Sequence, residues 1–187
     1  MYQNFIALNN YNLVNIPEYS TTTSYTEDAE DLFVDAKEKL LDVNNWKRYS
    51  GMTGIDFRLT DGHTRSVNRK AHRGDHIKIS VSGQEAKDYC VRIDAIEYDD
   101  YPDLGMEAFT IRVHPCDNFL NKNDEDNDHE DAEGTLIIER RGKKVFASFN
   151  SRNEAINADN NINSNMIDGW FGLSDGQWNS LVKGFVD

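Results

Sequence analysis

The side chains with the chemistry to bind or react fall in a few short stretches. His72 and His76 flank Arg73-Gly74-Asp75, a spacing that lets two imidazoles meet across a turn. Two histidines are half of a zinc ligand set. No convincing third ligand accompanies them, so neither a metal nor a cofactor is expected. Around them, Arg65, Arg69, Lys70, Arg73 and Lys78 surround a single acid, Asp75. Such a basic stretch suits an anionic ligand, a phosphate or carboxylate held by arginine forks, or else pairs with the acidic loop or faces water. Arg152-Asn153-Glu154 follows the last strand, where binding groups often sit. Glu97, Asp99, Asp100 and Asp103 could supply paired carboxylates for proton transfer. Beside Tyr98, Tyr101 and Pro102 they read as a polar loop.

Other motifs fail on spacing. Between Asn123 and Glu133 the chain holds seven carboxylates and His129. Oxygen-rich loops suit calcium, but an EF-hand counted from Asp124 places His129 at the glycine position and Thr135 at the final glutamate. The segment 122–134 therefore reads as a solvated surface loop. No phosphate-binding loop, dinucleotide fingerprint, nucleophile elbow or HExxH occurs. The two cysteines, Cys90 and Cys116, form no CxxC and read as free thiols in a reducing compartment. Cys90 is expected to behave as a small buried hydrophobe, and Cys116 is not read as a couple with His114.

Composition bounds the partners. The formal charge of the 187 residues is −13, which repels a phosphate polymer and argues against nucleic acid. The N-terminal apolar stretch has no basic residue ahead of it, and no run approaches membrane-spanning length. A cytoplasmic protein with no membrane partner is expected, of unknown oligomeric state.

These groups must be positioned by one domain spanning 1–187. Residues 1–25 read as an extended arm or edge strand. Ala29, Leu32, Phe33, Ala36 and Leu40 share a helical face, with acids at the N-terminal end and Thr26 as its cap, predicting a helix over 27–43. From 55 the period falls to two: Ile55/Phe57/Leu59, Ile77/Ile79/Val81, Tyr89/Val91/Ile93, Phe109/Ile111/Val113, Leu136 to Glu139 and Val145 to Phe149. Asp61-Gly62 reads as a tight hairpin turn. An Asn-rich connection follows at 150–172. Ser174-Asp175-Gly176-Gln177 is a capping box with a Leu173/Trp178 staple, opening a helix over 175–185. The expected fold is α+β: a curved antiparallel sheet or open barrel of six to seven strands, with an N-terminal and a short C-terminal helix.

Leu41-Asp42-Val43-Asn44-Asn45-Trp46, at the end of that first helix and ahead of the sheet, resembles the phrase that opens the START/polyketide-cyclase (helix-grip) superfamily. The likeness covers residues 23–59. It implies an apolar cavity between sheet and C-terminal helix, taking a lipid-like or aromatic molecule, and carries over no catalytic residue. The leading expectation is thus a binding protein for a small apolar or anionic molecule, its pocket walled by Trp46, Phe57 and Trp178. An enzyme of unrecognised type, using His72, His76, Arg152 and Glu154 at strand ends, is the second. A protein-interaction module working through the acidic loop and N-terminal arm is the third.

Overall fold

The computed structural model describes residues 18–63, 65–83, 86–116, 133–152 and 171–187. The N-terminal arm up to 17, nearly all of the acidic loop, most of the Asn-rich connection, and Glu154 lie outside the described residues. The strands are β1 (Glu18–Thr22), β2 (Ile55–Thr60), β3 (His76–Val81), β4 (Lys87–Tyr101), β5 (Met106–Pro115), β6 (Glu133–Arg141) and β7 (Lys144–Arg152). The helices are α1 (Thr26–Leu41), α2 (Trp46–Ser50) and α3 (Asp175–Val186), with a 3-10 turn at Val43–Asn45 before α2.

Alternation along the strands makes each one-sided, and the pairing is antiparallel throughout in the order β1-β7-β6-β5-β4-β3-β2. The fold is therefore the expected α+β architecture, a curved open sheet with helices on its concave face. Ile77, Ile79, Val91, Ile93, Ile111 and Ile138 point inward and are buried. The sheet's two edges, β1 and β2, are consecutive in the chain. The segment joining them, α1 and α2, has to cross the apolar face, and its buried residues Phe33, Leu40 and Trp46 join the same core.

Three local expectations need correction. Asp61-Gly62 does not close a hairpin, because the next strand starts at His76. Asp61 Oδ1 instead accepts from the amides of His63 and Arg65, both at 2.9 Å, an Asx-type turn that leads the chain outward. The excursion from 61 to 75 is tied down by backbone bonds from Val67 N to Leu59 O, Ala71 N to Leu41 O and Gly74 N to Ile93 O. Thr26 does not cap α1; the cap position is Tyr25, with no side-chain cap bond. The acidic run from Glu97 to Asp100 is strand rather than loop, since its backbone pairs with β5 in register from Tyr98↔Phe109 to Tyr101↔Met106. Its side chains are exposed, so polarity there reflects a strand end reaching into water.

The capping box is as expected: Gln177 N donates to Ser174 Oγ at 3.3 Å, and Ser174 N donates to Gln177 Oε1 at 2.8 Å. Two close approaches then seat α3. Gly172, at φ 73°, lets the Tyr89 ring lie against backbone: a Cβ there would sit 2.3 Å from Tyr89 Cε2. Gly184 lets α3 meet α2, since its Cβ would lie 2.4 Å from the Tyr49 carbonyl oxygen. Backbone cannot yield as a flexible side chain does. Gly184→Ala is therefore expected to lose about 2 kcal/mol despite alanine's better helix propensity. Gly176→Ala on the same helix, whose nearest atom would be Ser174 Oγ at 3.9 Å, stays within about 0.5 kcal/mol of the parent or gains slightly. Urea unfolding of the two variants measures the contrast.

Candidate functional site

Two regions gather the functional residues, one on each face of the sheet. On the concave side Trp46 meets Phe57 edge-on at 5.3 Å between centroids and Phe185 at 5.8 Å. Trp178 stacks on Phe149 at 3.8 Å. All three expected wall residues, Trp46, Phe57 and Trp178, are buried at the junction of sheet and helices. Phe171, at φ 53°, and Gly172 bring the chain over Tyr89. Tyr89 and Phe171 stay partly exposed while packing on the core.

On the outer face the strand register builds a row of polar residues. His76 on β3 faces Arg92 on β4, and Arg92 faces His114 on β5. Glu133 on β6 faces Arg152 on β7, and Glu133 Oε2 lies 3.6 Å from His114 Nε2. The backbone positions of His76 on β3 and Arg152 on β7, predicted separately from the sequence, are four inter-strand steps of about 4.8 Å apart. The register shift between Ile93 and Ala95 leaves Asp94 outside the ladder, as a bulge does. Its carboxylate reaches Arg92 Nε and His114 Nδ1, each at 2.5 Å. Burial raises the Asp94 carboxyl, but the Arg92 hydrogen bond and the charges of Arg92 and His114 outweigh it and hold the group below the ordinary carboxylate range. Arg73, Gly74, Arg92, Ile93 and Asp94 line an open surface cleft of about 420 Å³.

Three of the cations in the basic stretch, Arg69, Lys70 and Lys78, are paired with acids. Asp75, buried at 4% exposure, takes the Arg69 fork at 2.5 and 2.8 Å and the amide of His72 at 2.8 Å. Lys70 lies near Glu38 and donates to its carbonyl, and Lys78 pairs with Asp88. Arg69 and Asp75 thus pair with each other in the turn before β3. His72 is exposed. Among the described residues the group with metal-ligating geometry does not join His72 to His76; it joins His76 to Cys90 and Cys116.

Sequence reasoning missed that cysteine pair. Cys90 and Cys116 are bonded as a disulfide, their Cα atoms 5.4 Å apart, which overturns the free-thiol expectation and with it the cysteine argument for a reducing compartment. Cys90 lies on β4 and Cys116 directly follows the end of β5, opposite one another, Cys116 N donating to Cys90 O at 3.0 Å. The 26-residue separation carries no local signal of this. Arg140 was missed too. It stands on the inward parity of β6, after Leu136 and Ile138, and is buried against Glu107 at 2.6 Å and Glu30 at 3.7 Å. An arginine at an apolar-face position was the available signal. Glu107 also accepts from the Tyr98 hydroxyl at 2.8 Å, and that hydrogen bond, with burial, pushes the Tyr98 phenol up to about 12.

No protein-family model matches the chain, and no curated protein matches it. Among solved structures it is similar to Ara h 8.0201, at 14% identity over 90% of this chain and 95% of that one, with a TM-score of 0.43. A likeness this distant carries no function across, and the residues themselves have to.

The Asp75 site sets an acid limit on stability. Burial raises its carboxyl, yet hydrogen bonds from Arg69 and the His72 amide prevail and lower it in the folded state. A lowered folded value means the contribution is fully present above the unfolded carboxylate range, near pH 4, and is lost as pH falls through the lower folded value. Asp75→Asn is expected to cost about 2 kcal/mol at pH 7, less than a fully buried pair because the Arg69 side chain is 38% exposed. The deficit should shrink below pH 4, read from thermal midpoints between pH 2.5 and 7. A deficit constant with pH would show that the carboxylate charge is not what stabilises this turn.

Proposed function

We propose that this chain binds a small apolar or aromatic molecule between the concave face of its sheet and α3. The observation that supports this most is the aromatic junction there. Trp178 stacks on Phe149, Trp46 and Phe57 pack edge-on beside them, and partly exposed Tyr89 and Phe171 form the rim. Apolar, aromatic-lined concavities with few polar groups are the usual form of small-ligand sites. The segment Phe171–Leu173, held over Tyr89 in left-handed backbone at Phe171 and Gly172, is the part of that wall with the least regular structure to hold it shut. Strained backbone of this kind concentrates at ligand clamps.

Catalysis receives less support. His76 and Arg152 stand four strands apart in the sheet, and His72 lies in a separate turn. Nucleic acid is not a proposed partner, because a net charge of −13 repels phosphate. No described helix is long and apolar enough to cross a membrane. A cytoplasmic setting has less support, because the Cys90–Cys116 disulfide is a feature more usual in oxidising compartments.

The test is titration of the folded protein with 1-anilinonaphthalene-8-sulfonate, following tryptophan quenching. Saturable one-to-one binding is expected, weakened at least fivefold in Tyr89→Ala and Trp178→Ala but not in Trp178→Phe. Native mass spectrometry of freshly purified protein should show a co-purified adduct. Linear, non-saturable fluorescence together with adduct-free mass spectra would overturn the reading.

A further inference from the structure

We propose that His76, Cys90 and Cys116 form a redox-gated site for a soft divalent cation such as zinc, on the outer face of the sheet. Their ligand atoms, one imidazole nitrogen and two sulfurs, all lie within 4.8 Å of one another. The sheet fixes this convergence. Cys90 sits two residues from Arg92, the register partner of His76, so Cys90 and His76 are diagonal neighbours on one face. Cys116 stands opposite Cys90 on the other side of β4. Tetrahedral zinc with sulfur bonds of about 2.3 Å and nitrogen bonds of about 2.0 Å spaces its ligands roughly 3.3–3.8 Å apart. The three atoms therefore need only side-chain rotation to surround an ion, with the strands unmoved.

The donor set selects the cation. Two thiolates and one imidazole suit zinc over calcium or magnesium, which want oxygen. Three protein ligands leave a fourth position for water or an exogenous ligand, the arrangement of reactive zinc sites. Two thiolate charges cancel the ion's charge, so a site in which Cys90 is only 8% exposed holds no net buried charge.

The disulfide is the closed state of the gate. A dithiol reductant transfers two electrons to the Cys90–Cys116 bond. The S–S bond breaks, each sulfur takes up a proton as a thiol, and the dithiol closes to its cyclic disulfide. Zinc then binds both sulfurs as thiolates and releases two protons to solvent, with neutral His76 as third ligand. A small-molecule disulfide such as oxidised glutathione takes the two electrons back: the Cys90–Cys116 bond re-forms, the oxidant's S–S bond breaks, its two sulfurs leave as thiols after taking up two protons, and the ion, having lost both anionic ligands, is released. The inference stands apart from the concave-face binding site, since it uses the opposite face of the sheet.

The experiment uses the full chain in two forms, oxidised, and reduced with dithiothreitol then desalted without oxygen. Each is titrated with cobalt(II) and with zinc(II), alongside circular dichroism. One equivalent is expected to bind the reduced form, with cobalt giving a sulfur-to-metal charge-transfer band that zinc abolishes. The oxidised form is expected to show no such band. His76→Ala, which leaves the cysteines able to pair, should weaken binding at least tenfold, and Cys90→Ser should remove the band. Metal uptake equal in the two redox forms, unchanged affinity in His76→Ala, or loss of the folded spectrum on reduction would each overturn the proposal.

Discussion

A sheet that is apolar on one face only must be covered, and the order of its strands decides what covers it. Because β1 and β2 follow each other in the chain yet form opposite edges, α1 and α2 have to traverse the concave side. Their apolar stripe is the natural cover for the inward isoleucines and valines. The C-terminal helix covers a further part of that face, resting on β1 and β7 and on α2 through Gly184. Burial of this shared face is the favourable term on which the arrangement rests. The charged groups brought inside it are paired, Arg140 with Glu107 and Asp75 with Arg69, because an unpaired buried charge would cost several kcal/mol.

The outer face follows from the same sidedness. Residues of one parity are spent on the core, so those of the other parity line up across the strands. Antiparallel register turns scattered His76, Arg92, His114 and Glu133 into neighbours, and sets Arg152 beside Glu133 in the backbone. The bulge at Asp94 places a carboxylate between two of them, and the Asp75–Arg69 pair anchors the turn that starts β3. This side offers charged and imidazole groups, whereas the concave side offers aromatic surface. One sheet thus presents two distinct environments separated by a single layer of backbone.

Much of this was legible beforehand. The period of two from Ile55 to Phe149 marked the strands, and the acid-led apolar stripe marked α1 to within two residues at its end. Ser174 and Gln177 marked α3 because capping chemistry is local. Trp46, Phe57 and Trp178 are buried where sheet and helices meet, since large aromatics beside strand and helix starts have few other places to go, and their role as a pocket wall belongs to the proposal. Failures came where a local preference met a competing partner. Asp61 favoured binding nearby amides over a two-residue turn. The run from Glu97 to Asp100 looked like a loop by polarity, but strand pairing with β5 satisfies its backbone whatever its side chains face.

What the sequence determined by itself, then, is the set of elements, their sidedness and the excess of acid, because periodicity, capping and charge act over a few residues. What only the tertiary structure decided is which distant residues meet. Cys90 gained Cys116 and His76 as neighbours, and Arg69 turned out to belong to Asp75. Register and strand order set those meetings, and both depend on how the whole apolar face is buried at once. No short stretch of sequence encodes that.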